Sequence, residues 1–131
     1  MRYLLDTDIC VDLLRGRRAV VEKLETLTPD DCGISAVTSF ELFAGAAKAR
    51  DPLRESEKVH KLVAVVAELP FEGHAARQAA ALRCDLEEAG TPIGAYDLLI
   101  AAHALALQLV LVSANSGEFG RVPGLNLESW R

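Results

Sequence analysis

Apolar runs of strand length alternate along the chain with segments of helical periodicity, the pattern of a parallel α/β sheet. Residues 2–6, RYLLD, form the first such run. A helix is predicted from about Asp8, with Ile9, Leu13 and Leu14 on its apolar side and Gly16 at its end. Residues 17–27 read as a second short helix, and 32–37, CGISAV, as a second strand. Helix is expected from Ser39 and again over 53–65, with a short third strand in AELPF. Ala75, Ala79, Leu82, Leu86 and Ala89 share one face of a helix over 74–89, which Gly90 stops. Residues 95–109 form a nearly all-apolar helix, 109–113 a fourth strand, and PGLNLESW a turn and a last strand.

The 131 residues suit one domain, 1–131, and half of them are hydrophobic, enough for a core without disulfides. No repeat, linker or low-complexity stretch interrupts them. The start lacks the apolar core and cleavage site of a signal peptide, and no apolar run is long enough to span a membrane. The expectation is a cytoplasmic protein without membrane contact. Three cysteines, Cys10, Cys32 and Cys84, stand outside any C-x-x-C pair, which argues for buried reduced thiols over zinc or disulfides. A net charge of -5 argues against a broad nucleic-acid surface. It leaves room for an enzyme that holds phosphate through a metal. Arg15, Arg17 and Arg18 form the densest basic cluster, and with Arg121 they are candidates for RNA or partner contact. No run of interleaved aromatics suggests a base-stacking platform.

Two acids stand alone in uncharged surroundings: Glu41 within 32–47 and Asp97 within 93–109. Acids in such apolar segments are rarely buried without a partner. Asp6 is a third, placed where the first strand ends. Each has a local explanation. Thr38 to Glu41 fits a capping box, Asp97 suits the first turn of its helix, and Asp6 suits a turn. Asp8 reads as a helix cap and Asp12 as a surface residue. His103 reads as a core histidine or one supporting the site. Together, however, Asp6, Glu41 and Asp97 fall where α/β sheets bind ligands, beyond the carboxyl ends of the strands. A like-charge pair at ~4 Å costs about 4 kcal/mol at an effective dielectric near 20. A hard divalent cation removes that cost, so the cluster predicts Mg²⁺ or Mn²⁺.

Four blocks now matter: LLDTDI, SAVTSFELFAGA, PIGAYDLLIAAHAL and LVSANSGEFGRVPGL. In their order and spacing the chain resembles the PIN-domain family, and within it the VapC-like toxins of bacterial toxin–antitoxin pairs. The resemblance covers essentially the whole chain. It implies a three-layer α/β/α sandwich with a central parallel sheet. It also implies Mg²⁺- or Mn²⁺-dependent endoribonuclease activity on structured RNA such as tRNA or rRNA, a cognate antitoxin and a homodimer. Asp6, Glu41 and Asp97 fall on the family's first three acids. The fourth acidic position departs from the pattern: Ser113-Ala114-Asn115 places a neutral amide there, and Glu118 is the candidate for the missing charge. Thr7 matches a hydroxyl that orients Asp6 or a water. The expected site holds one cation through Asp6 and Asp97, with Glu41 bound directly or through water and serving as general base.

Other readings of the same residues are weaker. Asp6-Thr7-Asp8 mimics the nucleophile motif of haloacid-dehalogenase-type phosphatases, and a phospho-accepting receiver domain would also use such an aspartate. Both need a later lysine, and the last lysine here is Lys61. A catalytically weak PIN domain kept as a binding partner is the remaining alternative.

Overall fold

The computed structural model describes residues 1–131. Its sheet has five parallel strands, β1 (Tyr3–Leu5), β2 (Cys32–Ser35), β3 (Ala67–Leu69), β4 (Val110–Val112) and β5 (Leu127–Glu128), in the order β3-β2-β1-β4-β5. The helices are α1 (Thr7–Leu14), α2 (Arg18–Glu25), α3 (Ala36–Ala47), α4 (Pro52–Val65), α5 (Gly73–Glu88), α6 (Ala95–Leu107) and α7 (Ser116–Phe119). A 3₁₀ turn covers Pro29–Asp31. This is the expected α/β/α sandwich.

Strand side chains alternate between the two faces. Tyr3 and Leu5 enter one core with Ile9, Val20, Leu42 and Val59 from α1 to α4. Leu4 and Leu111 enter the other with Leu82, Leu86 and Ile100 from α5 and α6. Both faces are covered, as an all-parallel sheet requires. The chain builds outward from β1 to β2 and β3, then returns to place β4 on the other side of β1. That reversal makes a topological switch point between β1 and β4. A crevice opens at the carboxyl ends of strands at such a point.

Several local expectations are corrected. Helix α3 starts at Ala36, capped by Ser35, whose hydroxyl accepts the Val37 amide at 3.1 Å. Strand β2 therefore ends at Ser35, and Glu41 lies in the second turn instead of closing a capping box with Thr38. Asp6, not Asp8, caps α1. Helix α5 ends at Glu88, leaving Ala89 exposed, and α6 ends at Leu107, where Gln108 takes a left-handed φ of 56°. The short α7 was not expected. Gly16 and Gly90 end α1 and α5 with φ of 72° each, a conformation that suits glycine. Cys10 and Cys32 are buried, but Cys84 is exposed.

Asp12 is also not a surface residue: it is 5% exposed. Arg131 holds it through two bonds, Nε at 2.8 Å and a terminal nitrogen at 3.1 Å. Arg17 stands farther off at 3.9 Å. Beside this pair Trp130 packs edge-on against Tyr3 at 5.5 Å. The tail thus pins α1 to the sheet. Removing Arg131 strands a buried carboxylate with one distant partner, which is strongly destabilising when the pair is fully buried. Because Arg131 itself is exposed, the effect is softened by solvent, and Arg131→Ala is expected to lower the urea unfolding midpoint without abolishing folding. An unchanged midpoint would show that Asp12 finds other partners.

Candidate active site

Asp6 follows β1 directly and is 4% exposed. Its Oδ1 accepts the Thr7 amide at 2.8 Å, and its Oδ2 accepts the Ser113 hydroxyl at 2.8 Å. Ser113 follows β4, so the switch point itself brings residues 6 and 113 together. Burial and the nearby Asp8 raise the Asp6 pKa to about 7 despite these bonds.

Glu41 reaches the crevice from α3. Thr7 Oγ1 donates to its Oε1 at 2.7 Å, and buried Thr38 Oγ1 lies 3.2 Å from the same hydroxyl. Thr7 thus orients Glu41, where the sequence had suggested Asp6 or a water. His103 supports α3 from beneath. Its Nδ1 lies 2.8 Å from Ser35 Oγ, the cap of that helix, and the ring also meets the Pro70 backbone. Burial lowers the His103 pKa, so the ring is neutral and serves as a packed strut.

Asp97 stands in the first turn of α6. Burial first, then a hydrogen bond and repulsion from Glu118, raise its pKa to about 7, while the same contact lowers that of Glu118. Crowding of the two carboxyl groups thus makes Asp97 the harder of the pair to ionise. Glu118 is held from two more sides: the Gly94 amide donates to Oε1 at 3.0 Å, and Asn115 Nδ2 to Oε2 at 2.9 Å. Asn115 caps α7, accepting the Glu118 amide at 3.3 Å. Both ends of its amide are engaged with Glu118.

Asp8 is the residue that sequence reasoning missed. Its Oδ2 accepts the Ala114 amide at 3.0 Å and lies 3.4 Å from the Ser113 hydroxyl. Its Oδ1 is buried without a hydrogen-bond partner. The pairing of β1 with β4 turns Asp8 inward, a contact that no local pattern announces. The predicted cations behave differently from one another. Arg15 lines a cleft of about 610 Å³ between α1, α3 and α4, together with Thr7, Glu41 and Lys58. Arg17 turns to Asp12, Arg18 pairs with Glu22 in solvent, and Arg121 donates to the Pro92 carbonyl at 2.8 Å.

Asp6 therefore lies within electrostatic range of Asp8 and Asp97, and Asp97 within range of Glu118, Glu41 and Asp8. None of the ion pairs in the structure involves Asp6, Glu41 or Asp97. An all-oxygen donor set, an orphaned buried carboxylate oxygen and two carboxyls pushed to about pH 7 fit a hard divalent cation. No three His, Cys, Asp or Glu side chains close on one point as a finished cage. Mg²⁺ suits such an open crevice, since it keeps several waters and takes only one or two carboxylates.

The PIN-domain family model matches residues 3–125. The chain belongs to the PIN-domain family. It is 34% identical over 130 residues to the tRNA(fMet)-specific endonuclease VapC of Shigella flexneri, covering 99% of this chain and 98% of the relative. Ribonuclease VapC2 of Rickettsia felis is 34% identical over 132 residues, with the same two coverages. Among solved structures, the DNA-bound VapBC of Salmonella typhimurium superposes with a TM-score of 0.96 at 32% identity, covering 100% of this chain and 99% of that one. VapBC2 of Rickettsia felis, bound to a DNA fragment from its promoter, follows at 0.93 and 33%, with both chains covered in full. No helix of this PIN domain is long and apolar enough to cross a membrane.

Proposed function

We propose that this PIN domain is a divalent-metal-dependent endoribonuclease, the toxin of a toxin–antitoxin pair. What supports the reading most is similarity over the whole length to VapC ribonucleases, in a chain where Asp97 lies within electrostatic range of both Asp6 and Glu41. Structured RNA of the tRNA class is the substrate favoured by the tRNA(fMet)-specific relative. A VapB-like antitoxin is the partner favoured by the VapBC structures. A homodimer belongs to the same reading.

Asp6 and Asp97 would hold Mg²⁺ or Mn²⁺, with Glu41 bound directly or through water and Glu118 adding the charge that Asn115 lacks. Bound there, such a cation supplies Lewis acidity and offsets negative charge on the phosphoryl oxygens. The protein's own groups do the rest. The Thr7 amide and Ser113 fix both oxygens of Asp6. The Thr7 hydroxyl occupies one oxygen of Glu41 and leaves the other to accept a proton from the attacking water. Asn115 and Gly94 fix Glu118 beside Asp97 and so restrict the orientation of Asp97.

The test is cleavage of tRNA by the purified chain, with the new ends mapped. Cleavage at discrete bonds in Mn²⁺, abolished by EDTA, is expected. Absence of cleavage, or cleavage that EDTA leaves intact, would overturn the assignment.

A further inference from the structure

The chain has seven aromatic side chains of Phe, Tyr and Trp type. Five are packed into the protein. Tyr3, Phe119 and Trp130 are buried, Phe43 packs on His60, and Phe71 packs on His103. The other two, Phe40 and Tyr96, are 53% and 49% exposed. They come from different helices, yet their ring centroids lie 5.4 Å apart, tilted by 60°. No element of the chain covers them. Half-exposed aromatic rings forfeit much of the stabilisation that burial provides, so a paired set left open is informative.

Position shows what the pair is for. Phe40 precedes Glu41, and Tyr96 precedes Asp97. One residue along a helix turns by about 100°, so each ring stands on the flank of the helix beside its acid. The two helices that carry Glu41 and Asp97 thus carry the paired rings one residue from each acid. A phosphodiester seated over those acids carries its nucleobases to either side. The site is rich in carboxylates; Arg15 and Lys58 line the cleft beside Glu41, while Arg17, Arg18 and Arg121 are engaged elsewhere. Those cations suit phosphate, which leaves the two exposed rings free to hold a base by stacking. Aromatic faces stack any base, because every base has a π-face.

We propose that Phe40 and Tyr96 form a nucleobase-stacking subsite that holds an unpaired base of the RNA beside the scissile bond. This rests on the ribonuclease reading and adds the requirement that the cut lie in a single-stranded or splayed segment. Sequence reasoning saw no stacking platform because the rings are 56 positions apart and only the packing of α3 against α6 unites them. A second copy of the chain could cover the same rings, and the experiment separates that outcome.

Binding is read by fluorescence anisotropy in Mg²⁺, using Glu41→Gln protein to slow turnover. The probes are a labelled eight-nucleotide oligoadenylate and an abasic ribose-phosphate chain of equal length. Tyr96→Leu and Phe40→Leu, each added to that background, keep apolar bulk but remove the stacking face. Each is expected to weaken oligoadenylate binding roughly tenfold and to leave the abasic chain unchanged, with Tyr96→Phe binding like the parent. Equal affinity of the parent for both probes would overturn the subsite. So would equal loss on both probes, or unchanged RNA binding with a shift to monomer in light scattering. Stacking-dependent binding by a chain that never cleaves RNA in Mn²⁺ would sink the ribonuclease reading and leave the subsite standing. Active cleavage indifferent to both rings would do the reverse.

Discussion

Asp6→Asn and Asp97→Asn are each expected to lower Mn²⁺-dependent RNA cleavage by on the order of a thousandfold while the fold survives. The amide is nearly isosteric, so the hydrogen bonds that seat Asp6 adapt. Its oxygen still accepts the Thr7 amide, and Ser113 turns its hydroxyl to accept from the new amine. What disappears is the negative charge, and charge is what a hard cation needs from these two positions. A purely structural aspartate would behave differently, because its amide would leave the turnover number close to that of the parent. Initial rates on the cleaved tRNA, with circular dichroism to confirm folding, make the comparison. Full activity of either variant would remove that residue from the site. Mn²⁺ binding by calorimetry should fall in parallel with the rates, tying the loss to the cation rather than to RNA contact.

The second large effect is on stability. In EDTA, the midpoint of thermal unfolding should fall as the pH rises from 6 to 8.5, and Mn²⁺ should restore it at the alkaline end. Asp6 has a folded pKa of about 7, against 3.8 for an ordinary aspartate. Between those values the folded chain holds a proton that the unfolded chain has released. The stability tied to that proton is complete below the unfolded pKa and is lost as pH rises through the folded one. Over pH 6 to 8.5 the loss from Asp6 is about 1.4 kcal/mol, roughly 5 °C for a chain of this size. Asp97 adds less than its own shift suggests. The Glu118 pKa moves down as that of Asp97 moves up, so the two contributions partly offset each other. His103 acts in the opposite direction: its lowered pKa adds stability as pH rises through the free imidazole value of about 6.5, so it partly offsets the fall between pH 6 and 7. Asp6→Asn should flatten the slope. A midpoint in EDTA that stays level from pH 6 to 8.5 would show that the crevice is better solvated than its geometry indicates.

Much of the fold was legible because local periodicity encodes it. The apolar runs around Leu4, Ile34 and Leu111 became strands, and the stripe through Ala75, Ala79, Leu82 and Leu86 became the buried side of α5. Errors fell where a local rule had two solutions. Thr38 and Ser35 could each begin a helix, and the histidine beneath Ser35 favours Ser35. Asp6 and Asp8 could each cap α1, and the turn out of β1 gave the cap to Asp6.

The sequence by itself determined the layer order and marked Glu41 and Asp97, since a lone charge in an apolar segment betrays itself by its cost. Contacts between distant residues were decided by tertiary structure alone. Thr7 meets Glu41 across 34 positions, Ser113 meets Asp6 across 107, and Arg131 covers Asp12 across 119. The reason is physical. Helix and strand periods act over a few residues, whereas these pairings depend on β4 returning to the free side of β1. That one crossover gathers the carboxylates, turns Asp8 inward and leaves its second oxygen without a partner.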